Sequence, residues 1–325
     1  MPGIRSAGSG HGVSRLKPGA AVSRPPLAGC ECYNPTVPEA RTKSPRVEPR
    51  ELAELKRLKQ RQPELAEAVD LHIALFELQH RVQGRVPTPW LDFASDRLEA
   101  ACASGRPLLR FEDIPLDWTD LRLVFRQTAD VLLRFGALEP EHHRTLLALS
   151  RAGNALEPVV VHWFQAAADP ERAAARDAGK SPVPAEVLDQ VLGLAMRPFL
   201  GRCAEVVQQQ ADFGAWSHPR CPLCGGEPEF GVFTSTGDRL LICGRCTARW
   251  RFDASACPYC GNADRSRLPS FSSGDGLYRL YLCDVCRRYL KAYDAPLGGR
   301  PVMLALDSVA TLPLDAAAIQ RGYGG

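Results

Sequence analysis

The spacing of apolar positions changes once along this chain, near residue 215. Before that point they recur at helical spacing. After Pro63, which suits a first helical turn, Leu65, Val69, Ile73 and Phe76 form a stripe. Leu71, Leu75, Leu78 and Val82 widen it, and Gly84 follows as a stop. Asp117 is placed to cap a second helix, in which Leu121, Val124, Phe125, Val131, Leu132 and Phe135 face inward before Gly136. Glu141 to Ser150 and Pro158 to Ala168 read as shorter helices. Pro184 to Gln210 reads as a long one, with Leu188, Leu192 and Met196 on one stripe and Pro198 placed to kink it. Proline and glycine punctuate each junction, so residues 51–214 are expected to form a helical bundle with short connections.

Beyond residue 215 the pattern is one of short strands between cysteine pairs. The pairs are CPLCG at Cys221, CGRC at Cys243, CPYCG at Cys257 and CDVC at Cys283. The stretch is a duplication. Each half runs C-P-x-C-G, strand, polar Gly-Asp turn, strand, Cys-x-x-Cys and a basic-aromatic run. The turns are Thr236-Gly237-Asp238 and Ser273-Gly274-Asp275, and the closing runs carry Arg249-Trp250 and Arg288-Tyr289.

This layout matches the needs of a four-thiolate metal site. Four sulfurs must stand about 2.3 Å from one ion, and two intervening residues let one tight turn aim both sulfurs of a pair at it. Proline after the first cysteine fixes φ. Glycine after the second permits positive φ, which turns backbone N–H groups toward the sulfurs. The gaps of 18 residues from Cys224 to Cys243 and 22 from Cys260 to Cys283 each suit a hairpin that brings its ends together. Neighbouring pairs are therefore grouped: Cys221, Cys224, Cys243 and Cys246 for one metal, Cys257, Cys260, Cys283 and Cys286 for the other. A cross-braced pairing is the alternative, and the completeness of each half argues against it. Four disulfides would require a secreted chain, and no secretory signal is visible. A thioredoxin-like dithiol requires one pair beside a βαβ unit. Zinc and rubredoxin-type mononuclear iron both suit four cysteines.

Composition changes the picture only at the N-terminus. The chain has 325 residues and a net charge of +3, enough for a real core and without a strong electrostatic partner. No apolar run is long enough to cross a membrane. Residues 1–50 hold eight prolines and eight Lys/Arg against three Asp/Glu, the composition of a disordered tail. Cys30 and Cys32 within it read as incidental thiols. His142-His143 reads as a solvated face, His162 as an ordinary core or surface histidine, and His218 as a neighbour of the first pair without a ligand role. Cys102 and Cys203 read as small buried hydrophobes. No phosphate loop, G-x-S-x-G or H-E-x-x-H motif occurs.

The cysteine repeat resembles the formate dehydrogenase accessory proteins of the FdhE type. CPLCG at Cys221, LICGRC through Cys246 with Trp250 four residues on, CPYCG at Cys257 and LCDVCRRYLK from Leu282 to Lys291 carry the resemblance. Tyr289-Leu290-Lys291 is its most specific element. The tail from Asp307 to Tyr323, DSVATLPLDAAAIQRGY, is similar to the family's end. Together these cover roughly the last third. Ala254 stands where the family has a basic residue, and the Pro-rich tail is unusual for it. The resemblance implies a cytoplasmic, non-catalytic maturation factor. Such a factor binds the catalytic subunit of a molybdenum- or tungsten-dependent formate dehydrogenase and is needed for its activity. It also implies rubredoxin-like modules able to hold iron, with the eight cysteines as ligands.

The expected fold is α+β: an N-terminal all-α helical bundle, then two tandem rubredoxin-like or zinc-ribbon-like four-cysteine modules. The expected divisions are 1–50, 51–214, 215–256, 257–299 and a packing segment at 300–325. Two rival functions are a rubredoxin-like electron carrier and a zinc-ribbon module binding nucleic acid or protein. Residues 215–295 carry eleven Lys/Arg against eight Asp/Glu. With eight thiolates and two divalent ions the sum is about −1, a poor phosphate-binding surface. No nucleic-acid or membrane partner is expected, and a weak homo-oligomer is left open.

Overall fold

A computed structural model describes residues 48–91, 95–168 and 183–324. Nearly all of the Pro-rich tail, Cys30 and Cys32 included, lies outside them. The helical half contains α1 (Arg50–Arg61), α2 (Ala66–Gln83), α3 (Ser95–Ser104), α4 (Trp118–Arg134), α5 (Pro140–Arg151), α6 (Leu156–Ala168) and α7 (Ala185–Gln210). Asp117 caps α4 as its sequence predicts, accepting the N–H groups of Thr119 and Asp120 at 2.9 Å each. Gly136, at φ 67°, follows the end of that helix. Helix α7 continues through Pro198 and buries Leu192, Met196, Phe199 and Cys203.

Helix α2 departs from a one-stripe reading. Leu78 and Val82 enter the main core with α4 and α7. Val69, with Leu65 and Ile73, packs instead on Leu55 and Leu58 of α1 and on Met303, Leu306 and Val309 near the C-terminus. The wide apolar face thus serves two cores, which is why much of the first stripe is only half-buried.

The cysteine half forms one six-stranded sheet. Its strands are β1 (Pro228–Phe233), β2 (Arg239–Cys243), β3 (Arg249–Arg251), β4 (Ser270–Ser272), β5 (Tyr278–Leu282) and β6 (Tyr289–Asp294), in the order β3-β2-β1-β6-β5-β4. Each basic-aromatic run is the third strand of its half. Each half is an antiparallel meander, and the two join through parallel pairing of β1 with β6, Phe230 opposite Lys291 and Val232 opposite Tyr293. Gly231 sits at this join, where a Cβ would come within 3.1 Å of the Ala292 Cβ.

The period-2 alternation sends side chains to two faces. On one face, Leu241, Trp250 and Leu290 join the helices in a single core that also contains Cys221, Leu223, Cys224, Cys243 and Cys246. On the other, Phe230, Val232, Ile242, Tyr278 and Tyr293 pack beneath the C-terminal segment. That segment holds α8 (Ala295–Gly298), α9 (Leu304–Ala310) and α10 (Leu312–Gln320). Trp250 and Tyr293 are therefore core residues.

The C-terminal segment is fixed by a fully buried carboxylate, Asp307. It accepts the Tyr278 hydroxyl proton at 2.7 Å, the Met303 N–H at 2.7 Å and a salt bridge from Arg300. Arg300 in turn lies over the Tyr293 ring, 4.7 Å from its centroid. Burial and the Asp307 charge push the Tyr278 hydroxyl well above its ordinary range. Removing one member of a buried ion pair leaves the other uncompensated, so Asp307→Ala should destabilise the protein by about 3–5 kcal/mol. Tyr278→Phe should cost only about 1 kcal/mol, the net worth of one hydrogen bond. Chemical denaturation measures both, and equal effects would remove Asp307 from the centre of this network.

Candidate metal centres

The eight sequence-predicted cysteines meet as two groups of four. Cys221, Cys224, Cys243 and Cys246 have all their sulfurs within 4.8 Å of one another, and so do Cys257, Cys260, Cys283 and Cys286. Within the first group, Cys221 to Cys246 and Cys224 to Cys243 are each 3.5 Å apart. In the second, Cys257 to Cys286 is 3.8 Å and Cys260 to Cys283 is 3.6 Å. A disulfide needs about 2.05 Å. A tetrahedron with 2.3 Å metal–sulfur bonds has edges of about 3.8 Å. The groups therefore have the spacing of a four-thiolate metal cage.

Local geometry produces this spacing twice. The Cys221 N–H bonds to the Gly226 carbonyl and the Gly225 N–H to the Cys221 carbonyl, closing the first knuckle. Cys257, Asn262 and Gly261 repeat the pattern. Gly225 and Gly261 have φ of 75° and 72°, the positive values expected of them. On the hairpin's return, Thr247 and Arg287 take φ of 61° and 59°, each just after the last cysteine of its group. The backbone N–H of Arg245 approaches the Cys243 sulfur at 3.4 Å. The N–H groups of Cys260 and Tyr259 do the same for Cys257, and those of Cys286 and Val285 for Cys283.

The donor set fits a metal cation. Burial pushes the Cys221 and Cys246 thiols well up. Burial also opposes charge on Cys243, but hydrogen bonds from the three neighbouring thiols outweigh it and hold Cys243 well down. Crowded sulfurs can share one negative charge; carrying four requires a cation among them. The other candidates stand apart. His218 bonds the Cys102 carbonyl at 2.8 Å, and His143 pairs with Asp130 at 2.7 Å. Cys203 is buried in the helical core, its thiol pushed up to about 12 by burial.

The fold is shared with a solved structure, that of the FdhE protein from Pseudomonas aeruginosa. The TM-score is 0.54 and the identity 22%, over 84% of this chain and 91% of that one. In sequence, the chain is 29% identical over 133 residues to a protein FdhE homolog of Aquifex aeolicus, covering 39% of this chain and 46% of that protein. It is 32% identical over 106 residues to a Haemophilus influenzae protein FdhE homolog, covering 32% and 35%. The proteins that the chain resembles in fold and in sequence carry the same name, FdhE. No protein-family model matches the sequence. The matched stretches span less than half the length of these curated FdhE relatives.

Two features of the site escape sequence reasoning. One is the seam between the halves, where Glu227 accepts Arg220 at 3.1 Å from its own half and Arg288 at 2.8 Å from the other. The other is the clamp on the first knuckle. The N–H groups of Leu108 and Leu109 bond the carbonyls of Pro222 and Leu223 at 2.9 Å each. The first cluster is thus part of the helical core, and the second is not. Cys221→Ser should release one metal equivalent and lower the thermal midpoint of the helices. Cys283→Ser should release one equivalent and leave helical unfolding nearly unchanged. Structural zinc sites supply about 10–16 kcal/mol, enough to make the contrast plain in circular dichroism melts with parallel metal analysis. Equal effects on the helices would contradict the shared core.

Proposed function

We propose that the eight cysteines hold two metal ions per chain, with iron favoured over zinc. We further propose that the protein is a non-catalytic maturation factor acting in the cytoplasm. It binds the catalytic subunit of a molybdenum- or tungsten-dependent formate dehydrogenase, which requires it for activity. The observation that carries this reading is the pair of four-cysteine clusters on a fold shared with an FdhE protein over most of both chains.

The chemistry of the clusters supports the non-catalytic part. A metal held by four thiolates has no open position for substrate, so it suits structure or one-electron transfer. The chain's own contribution is to close each hairpin and hold the sheet in one shape for a partner. No helix among the described residues is long and apolar enough to cross a membrane. A second reading, a rubredoxin-like electron carrier, draws on one observation: Cys260 of the second cluster is exposed.

Elemental analysis of anaerobically purified protein should return two metal ions per chain, and a ferric four-thiolate site would show as colour. In the source organism, deletion should abolish formate dehydrogenase activity while the catalytic subunit persists. The wild-type gene should restore activity and Cys257→Ser should not. Normal activity in a deletion strain carrying no second copy would overturn the maturation role.

A further inference from the structure

The two clusters are one motif in two surroundings. At the first, all four cysteines are buried. A Cβ on Gly225 would lie 2.8 Å from the Ala167 carbonyl oxygen, so helix α6 closes over that knuckle. Arg245, between Cys243 and Cys246, is pinned by Asp189 at 2.7 Å and lies 3.9 Å from the Trp163 ring centroid. At the second, Gly261 has nothing within 4 Å of where its Cβ would be. Val285, which occupies the place of Arg245, is 46% exposed. Cys260 is exposed and Cys286 half-buried. Cys257 and Cys283 also line a cavity of about 430 Å³ with Arg239, Tyr259 and Arg288.

We propose that the second cluster is a metal-exchange site, passing its ion to or from an external anionic thiolate, while the first cluster keeps its ion. The proposal rests on the reading that both clusters hold metal. Exchange between thiolates requires the incoming sulfur to reach the metal before a cysteine leaves. The second cluster can be approached past Cys260 or through the cavity, whereas the first is covered by α6 and the Leu108–Leu109 segment. In the exchange, the incoming thiol loses its proton to water and its sulfur bonds the metal. The metal–Cys260 bond then breaks, and the Cys260 sulfur takes up a proton. No oxidation state changes. The cavity lining carries Arg239, Arg265 and Arg288 against Asp253; Arg288 is already paired with Glu227, and the remaining positive excess fits an anionic ligand. Arg239 is 3% exposed, and its Nε has no hydrogen-bond partner among the described residues. Its guanidinium is held instead by the main-chain carbonyls of Asp253 and Ala256.

The test uses full-length protein loaded with zinc and challenged with reduced glutathione, the released zinc being read by a coloured chelator. Release should occur in two phases of one equivalent each, the first at least about tenfold faster because the buried site must first open locally. Alkylation read by mass spectrometry should modify Cys257, Cys260, Cys283 and Cys286 in the fast phase and spare Cys221, Cys224, Cys243 and Cys246. High salt should slow the fast phase several-fold with glutathione and leave it unchanged with neutral 2-mercaptoethanol. Release of both equivalents together, or equal labelling of the two groups, would overturn the proposal while leaving two metal sites in place. A protein that takes up fewer than two zinc ions would overturn the two-site reading and this proposal with it.

Discussion

Four sulfurs must meet at one point, and they must do so twice. That constraint fixes the ends of both hairpins. It sets a positive φ not only at Gly225 and Gly261 but at Thr247 and Arg287, where a side chain makes the left-handed region unfavourable by about 1–2 kcal/mol. The strain persists because each residue follows a cysteine already committed to its cluster. With its ends pinned, each half presents three strands in fixed register. Only then can β1 of one half lie parallel to β6 of the other and complete a single sheet.

The same constraint leaves the covering of each knuckle free to differ. The first is covered by the helices, through Ala167, Leu108 and Leu109. The second is held on its return side by the C-terminal tail. The Gly324 N–H donates to the Arg287 carbonyl at 2.7 Å, the Tyr289 N–H donates to the Gly324 carbonyl at 3.2 Å, and Arg287 donates to the Arg321 carbonyl at 2.8 Å. A helical core seals the first cluster from water, whereas a short tail steadies the second and leaves it open. Duplication of the motif therefore does not imply equivalence of the sites.

What the sequence made legible was local. Cysteine spacing, Pro and Gly placement and the Gly-Asp turns act within a few residues, so the grouping of the eight cysteines could be read from them. The Asp117 cap, the helical stripe of α7 and most of that of α4 were readable for the same reason, although Val131 and Phe135 at the end of α4 are only half-buried and stay outside the core. What it hid was long-range. Nothing near Gly231 announces that it lies against Ala292, and the difference between Gly225 and Gly261 depends on Ala167, far away in sequence. The two cores served by α2 were hidden likewise, because periodicity records how wide an apolar face is, not how many partners divide it.

The seam between the halves shows how apolar and polar contacts share the work. Phe230, Val232, Ile242, Tyr278 and Tyr293 lie on both sides of the β1–β6 join and supply its burial. Burial is not directional, so it does not choose one register over another. Glu227 adds that choice. Its own carbonyl accepts the Gly244 N–H at 3.0 Å, fixing it to the first hairpin, while its carboxylate reaches Arg288 on the second. Burial pushes this carboxyl up, yet Arg288 and Arg220 outweigh it and hold the group below its ordinary range. Partly exposed ion pairs contribute little net stability. Their contribution here is alignment: a slip of one residue along β6 would carry Arg288 away from Glu227 and turn Tyr293 out of the core.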